Sequence, residues 1–270
     1  MQLAHRVALN GIQLDTVDSS IIIKGVEEGA GKEQISAVSR GASGGQRITG
    51  RRRETLDIVV KFSILVDESN MQLRETVLEK VVKWASGGGI LTGNYRPGRQ
   101  VRVVCAQAPG PGDMWQWTNV YSITFRAYGV PYWTEPTGTV LTASNTNNTS
   151  VSSDSIGGSC ETVAEFTFTN LNSSACTWVQ VIGPKGSVKL NQIALAQNET
   201  IHFDHDADGL QRIWIMNAAG DEARSAMGTR VADGSIISAD ELYVDPGSAS
   251  FGLLSHRKGD WTVTIKGRYA

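Results

Sequence analysis

The first half of the chain opens with short runs in which apolar and polar residues alternate. Leu56, Ile58, Val60, Phe62, Ile64 and Val66 alternate with Asp57, Lys61 and Ser63, so the apolar set lines one face of a strand ending at Asp67-Glu68-Ser69. Ile21–Val26 reads as an earlier strand, after Ile12 and Leu14 lead into a turn at Asp18-Ser19-Ser20. Between these two strands, 29–50 is rich in glycine and serine, the mark of a mobile loop or a long hairpin tip. The period then changes from 2 to 3.6 over 69–86. Leu73, Val77, Val81 and Trp84 form a stripe with Leu78 beside it, Ser69 and Gln72 match a capping box, and Gly87-Gly88-Gly89 stops the helix. Strands follow at Ile90-Leu91 and 100–106, joined by the turn Tyr95-Arg96-Pro97-Gly98. After the turn at 109–113, Trp117, Tyr121, Ile123, Phe125 and Ala127 give the apolar face of a last long strand.

Pro131 and Pro136 bracket Tyr132-Trp133, which marks the close of a first domain, 1–136. The stretch 137–159 is dominated by Ser, Thr, Asn and Gly, which fits either a flexible linker or a polar edge hairpin. From Thr162 onward the chain is all short β-like runs: Phe166/Phe168, 178–182, 187–193, 200–203, 212–216 and 261–265. Gly-Pro, Asn and Asp-Gly turns separate them at the spacing of a β-sandwich, giving a second domain, 137–270.

A chain of 270 residues accommodates two such domains, each able to bury a core. The formal net charge of −2 provides no global field for nucleic acid or an acidic membrane. The strongest apolar runs, Ile21-Ile22-Ile23 and Ile58-Val59-Val60, fall far short of the roughly 18–20 residues that span a bilayer, so no membrane partner is expected. Cys105, Cys160 and Cys176 leave a Cys160–Cys176 bridge conceivable beside free buried thiols.

Candidate chemistry is sparse. Gly29-Ala30-Gly31-Lys32-Glu33 lacks the first glycine and the Ser/Thr of a phosphate loop. Asp204, Asp206, Asp208 and Gly209 match the first half of a calcium loop, but Ile215 stands where the bidentate glutamate belongs. The acids therefore read as a crowded β-hairpin turn, and as weak metal candidates at most. No nucleophile elbow or paired zinc ligands occur, so neither catalytic residues nor cofactors are assigned. Arg51, Arg52 and Arg53, just before the best strand, suit a subunit contact better than phosphate, because no aromatics interleave them. Trp115 and Trp117, beside a Pro/Gly turn, suit packing, with sugar stacking as the other reading.

The order of features in 1–136 carries a resemblance. A Gly-rich loop leads into Arg53-Glu54-Thr55-Leu56-Asp57-Ile58-Val59-Val60, and one helix ends Lys83-Trp84-Ala85-Ser86-Gly87-Gly88-Gly89. Tyr95-Arg96-Pro97-Gly98-Arg99-Gln100-Val101-Arg102-Val103 follows, then a strand closing on Tyr128-Gly129-Val130-Pro131-Tyr132-Trp133. This resembles the distal tail protein (Dit) family of long-tailed bacteriophages, and the β-rich second half, ending Gly259-Asp260-Trp261-Thr262-Val263-Thr264-Ile265, is similar to that family's galectin-like sandwich. The resemblance implies a mainly β fold: an N-terminal ring-forming belt domain with one helix and a C-terminal galectin-like β-sandwich. It further implies a homohexameric ring at the virion tail tip, assembled in the host cytoplasm, that joins the tail tube protein to the tail hub. DNA would pass through the lumen, and the sandwiches would hold receptor-binding or baseplate proteins. The alternative is a carbohydrate-binding β-sandwich adhesin.

Overall fold

The computed structural model describes residues 5–29, 33–39, 46–66, 70–109, 120–206, 209–226, 230–231 and 241–270, with backbone alone for 33–39, 46–53, 223, 230 and 231. The chain is mainly β and forms two units, Met1–Trp133 and Thr134–Ala270.

The first unit contains β1 (Val7–Leu9), β2 (Ile12–Gln13), α1 (Leu14–Val17), β3 (Ile21–Glu28), β4 (Glu33–Ser39), β5 (Gln46–Arg53) and β6 (Leu56–Ile64). It continues with α2 (Met71–Ser86), β7 (Gly89–Gly93), β8 (Gln100–Gln107) and β9 (Tyr121–Ala127), and β10 (Trp133–Thr134) lies at the division. Seven of its strands run in the order β2-β1-β7-β8-β9-β6-β3. The alternation of β6 works as the sequence indicates: Leu56, Ile58, Val60, Phe62 and Ile64 are all buried. β9 meets it with Tyr121, Ile123, Phe125 and Ala127, likewise buried.

α2 lays Val77, Val81 and Ala85 onto this face, with Trp84 edge-on to Phe125. The stripe differs from the expected one. Leu73 is 46% exposed, and Arg74 is the buried residue of that turn, its Nη2 donating to the Val66 carbonyl at 3.2 Å. The long aliphatic stem of an arginine packs like an apolar side chain once its head finds an acceptor, which a polarity pattern misses. The helix cap also differs: Asn70 Oδ1 accepts from the Leu73 amide at 3.2 Å, and Ser69 lies outside the described residues. The expected stop holds, with Gly88 at φ +59° and Gly89 at φ +134°. The four-residue α1 occupies the approach to the turn at Asp18-Ser19-Ser20.

The second unit contains β11 (Thr139–Ile156), β12 (Thr162–Asn170), β13 (Cys176–Gly183), β14 (Gly186–Leu195), β15 (Thr200–His205) and β16 (Gln211–Met216). Then come β17 (Glu222–Ser225), β18 (Arg230–Val231), β19 (Leu242–Val244), β20 (Gly247–Ile265) and β21 (Arg268–Tyr269). β20 organises them. Its Gly252–Ser255 stretch pairs with β13, its Gly259–Ile265 stretch pairs with β12, and β11 runs antiparallel along its opposite edge. The two halves of the sheet, β12-β15-β16-β17 and β13-β14-β18, thus flank opposite ends of one bent strand. Phe166, Phe168, Phe203, Ile213 and Ile215 from one half share a core with Val179, Val181, Val188 and Leu190 from the other. The sheet therefore closes over itself as a sandwich. Residues 137–159 form neither linker nor hairpin: they are largely the 18-residue β11.

Candidate assembly surfaces

The basic segment of the first unit is an arm. β3 and β6 pair from Ile21↔Ile64 to Glu28↔Ile58, and the Gly29 amide carries the ladder on by donating to the Asp57 carbonyl at 2.8 Å. β4 and β5 then pair with each other from Glu33↔Arg53 to Ser39↔Gln46, as a two-stranded sheet of their own. Of the two options for 29–50 the chain takes the long hairpin, and 40–45 lie outside the described residues. Arg51, Arg52 and Arg53 are consecutive in β5, opposite Ile35, Gln34 and Glu33.

Acids at the root of this arm are paired within the unit. Glu28 holds Arg96 through two bonds, Nε to Oε1 at 3.0 Å and Nη2 to Oε2 at 2.7 Å. Asp57 holds Arg126 in the same bidentate manner, at 2.5 and 2.6 Å, and the bonds from Arg126 keep its carboxyl below the usual carboxylate range. Glu27 meets Lys61 at 2.6 Å on the exposed side. Lys80, past the middle of α2, and Ser20 hold the Asp18 carboxyl down to about 2. Asp18, Ser20, Leu65, Asn70, Leu73 and Val77 line a cavity of about 400 Å³ there.

In the second unit, β15 and β16 form the hairpin in which the acidic cluster was expected. Asp204 accepts from Arg212 Nε at 3.2 Å and Nη2 at 3.3 Å, and from Trp214 Nε1 at 3.0 Å. Asp206 Oδ1 accepts the Leu210 amide at 2.9 Å and so closes the turn. Asp208 lies outside the described residues. Among the described residues no group of three or more His, Cys, Asp or Glu is placed to hold a metal ion. The His202 ring stacks on Trp214 at 4.0 Å and 9°, covering one indole face, and burial lowers the His202 pKa. Trp115 and Trp117 lie outside the described residues.

Sequence reasoning missed a clasp at the end of β15. His205 Nδ1 lies 3.2 Å from Glu165 Oε1 and its Nε2 lies 2.8 Å from Glu241 Oε2. Burial alone would depress the imidazole, but the two carboxylates outweigh it and raise its pKa to about 9. Glu165 sits on β12, His205 on β15 and Glu241 just before β19, so no local motif announces the group. All three cysteines are free thiols. Burial pushes the Cys176 thiol up, and its Sγ donates to the Trp178 carbonyl at 3.3 Å.

The fold of the chain, a helix-backed sheet followed by a β-sandwich, is similar to that of one solved phage protein. The solved structure of SPP1 Dit matches with a TM-score of 0.62 at 13% identity, covering 97% of this chain and 98% of that one. It is described as a paradigm of the hub adsorption apparatus in phages that infect Gram-positive hosts. Two structures of the phage p2 baseplate in its activated conformation, with Sr and with Ca, match at a TM-score of 0.39 and 10% identity, over 93% of this chain and 97% of theirs. No protein-family model matches the chain. No curated protein matches it.

Proposed function

We propose that this chain is a structural protein of a phage tail tip. Six copies close a ring through the first unit, join the tail tube to the tail hub and leave a lumen for DNA. The second unit carries peripheral proteins such as receptor-binding proteins. The protein resides in the virion after assembly in the host cytoplasm and has no catalytic role. One observation carries the reading: the likeness to SPP1 Dit runs through both units and nearly from end to end of both chains.

The arm supports an interface at Arg51, Arg52 and Arg53. β5 carries four arginines and no acid, while Glu28 and Asp57 at the arm's root are already held by Arg96 and Arg126. A two-stranded ribbon is marginal alone, so a neighbouring subunit that supplies carboxylates would stabilise it. Native mass with negative-stain imaging tests the ring. The expected result is closed rings of six copies, each ring six times 29.1 kDa, and reversing the three arginines to glutamate should weaken the rings while each subunit stays folded. A monomer that also fails to add to isolated tail tubes would overturn the proposal.

A further inference from the structure

β11 presents a free edge unlike any other in the second unit. It pairs with β20 alone, and among the described residues nothing pairs with its opposite side. Eighteen residues at roughly 3.3 Å each give an edge of about 60 Å with no strand along its outer side, where only side chains reach the amides of Asn145, Asn148 and Ser155. Natural sheets blunt such edges with short strands, charge or proline. The other two ends of this sheet follow that rule. β17 has four residues with Glu222 and Arg224 among them, and β18 has two, one of them Arg230. β11 holds no proline and, in 18 residues, the single charge of Asp154.

Its core-facing row is also left incomplete. Thr139, Leu141, Ala143, Thr149, Val151 and Ser153 oppose Ile265, Val263, Trp261, Leu253, Phe251 and Ala249 on the core side of β20. Each of these β20 residues is buried, yet each of the β11 residues is only half-buried. Leu141, Ala143 and Val151 pack against the core while their outer flank stays uncovered. A strand laid along β11 would cover that flank and satisfy the backbone at once.

We propose that this strand is β11 of a second copy, running antiparallel about a two-fold axis at Thr146. The register shifts around Ala143, Thr146 and Asn148 divide β11 into two regular runs, 139–143 and 148–153. A two-fold at Thr146 sets 139–143 of one copy against 149–153 of the other and leaves the irregular middle facing itself. Leu141 then opposes Val151 of the second copy on the core side, so the two apolar rim residues cover each other. Thr142 opposes Ser150 and Val140 opposes Ser152 on the outer side. The lone charge, Asp154, falls opposite Gly138 and meets no like charge. Self-complementarity of this kind is what an isologous contact requires. The contact involves only the second unit and does not depend on the ring.

Two variants of the full chain test it. Leu141→Lys/Val151→Lys places inward charge on the edge and should halve the native particle mass, whether the first unit forms a ring or not. Thr142→Cys/Ser150→Cys should give a disulfide-linked dimer on oxidation, while either single variant should not. Within one copy these positions are eight residues apart on one strand, about 27 Å, beyond the reach of a disulfide. An unchanged mass in the folded lysine variant, or no cross-link in the cysteine pair, overturns the proposal, and the cysteine arm decides the matter if the lysine variant does not fold.

Discussion

His205 sets the sharpest test of the energetics, because a cation clasped by two carboxylates makes the second unit depend on pH in a calculable way. A histidine in the unfolded chain titrates near 6.5, whereas the clasped imidazole titrates at about 9. Its folded pKa is raised, so the clasp's contribution is complete below pH 6.5 and is lost as pH rises through 9. The two values correspond to about 3 kcal/mol at pH 6 and close to nothing at pH 10. The side chain is 10% exposed and its partners 25% and 19%, so solvent does little to screen the interaction. Lys266 is the other cation that acts on Glu165.

His205→Gln keeps a polar side chain but cannot carry the charge. Its stability gap from the native chain should therefore narrow by about 3 kcal/mol between pH 6 and pH 10. For a unit of this size that is about 10 °C in the melting transition of the second unit. Melts of both proteins at matched pH cancel the lysines and tyrosines that also titrate near pH 10. A gap that stays constant over this range would refute the reasoning, as would an NMR titration that places His205 at or below 6.5.

Other consequences are simpler. Asn170 is fully buried, and its Nδ2 donates to the carbonyls of Asn172, Ser174 and Leu195, so Asn170→Ala should cost about 3 kcal/mol or more by orphaning them, read by denaturant unfolding. Gly259→Ala would drive a Cβ into the Thr169 carbonyl and the Phe168 ring at the bend of β20, and should lower the second unit's melting transition while sparing the first. Calcium and a chelator should give coincident melts, because Asp204 and Asp206 already have protein partners; a calcium-dependent rise would restore the metal reading.

How far the sequence revealed this depended on whether a residue's environment was local. The alternation of Leu56–Ile64 announced a strand with one buried face, and that strand lies between β9 and β3 in the first sheet. The helix was equally legible, but its apolar stripe left out Arg74, because polarity alone does not show that a carbonyl awaits its guanidinium. β11 was missed for a related reason. With one face in solvent and the other half-covered, an 18-residue strand of Ser, Thr and Asn shows almost no apolar alternation and reads like a linker. The clasp at His205 was invisible because its members are 40 and 36 residues apart and meet only after β12, β15 and β19 align.

The arm and the β11 edge lie in different units, so their contributions to assembly separate in a square of four proteins. If ring and pairing both form, the native chain should be twice the mass of the edge-blocked variant, and the edge-blocked variant should be the six-copy ring. Reversing Arg51, Arg52 and Arg53 in the native background should then leave pairs, and combining both changes should leave single copies of 29.1 kDa. Each corner removes a different interaction: ion pairing on a ribbon that is marginal by itself, or backbone and apolar cover along a strand edge. The first weakens with salt, because exposed charges a Debye length apart are screened, and the second does not. A salt titration of the edge-blocked ring and of the arm-reversed pair should therefore split them, with dissociation of the ring and persistence of the pair. Equal salt sensitivity would mean that one interface had been assigned the wrong physics.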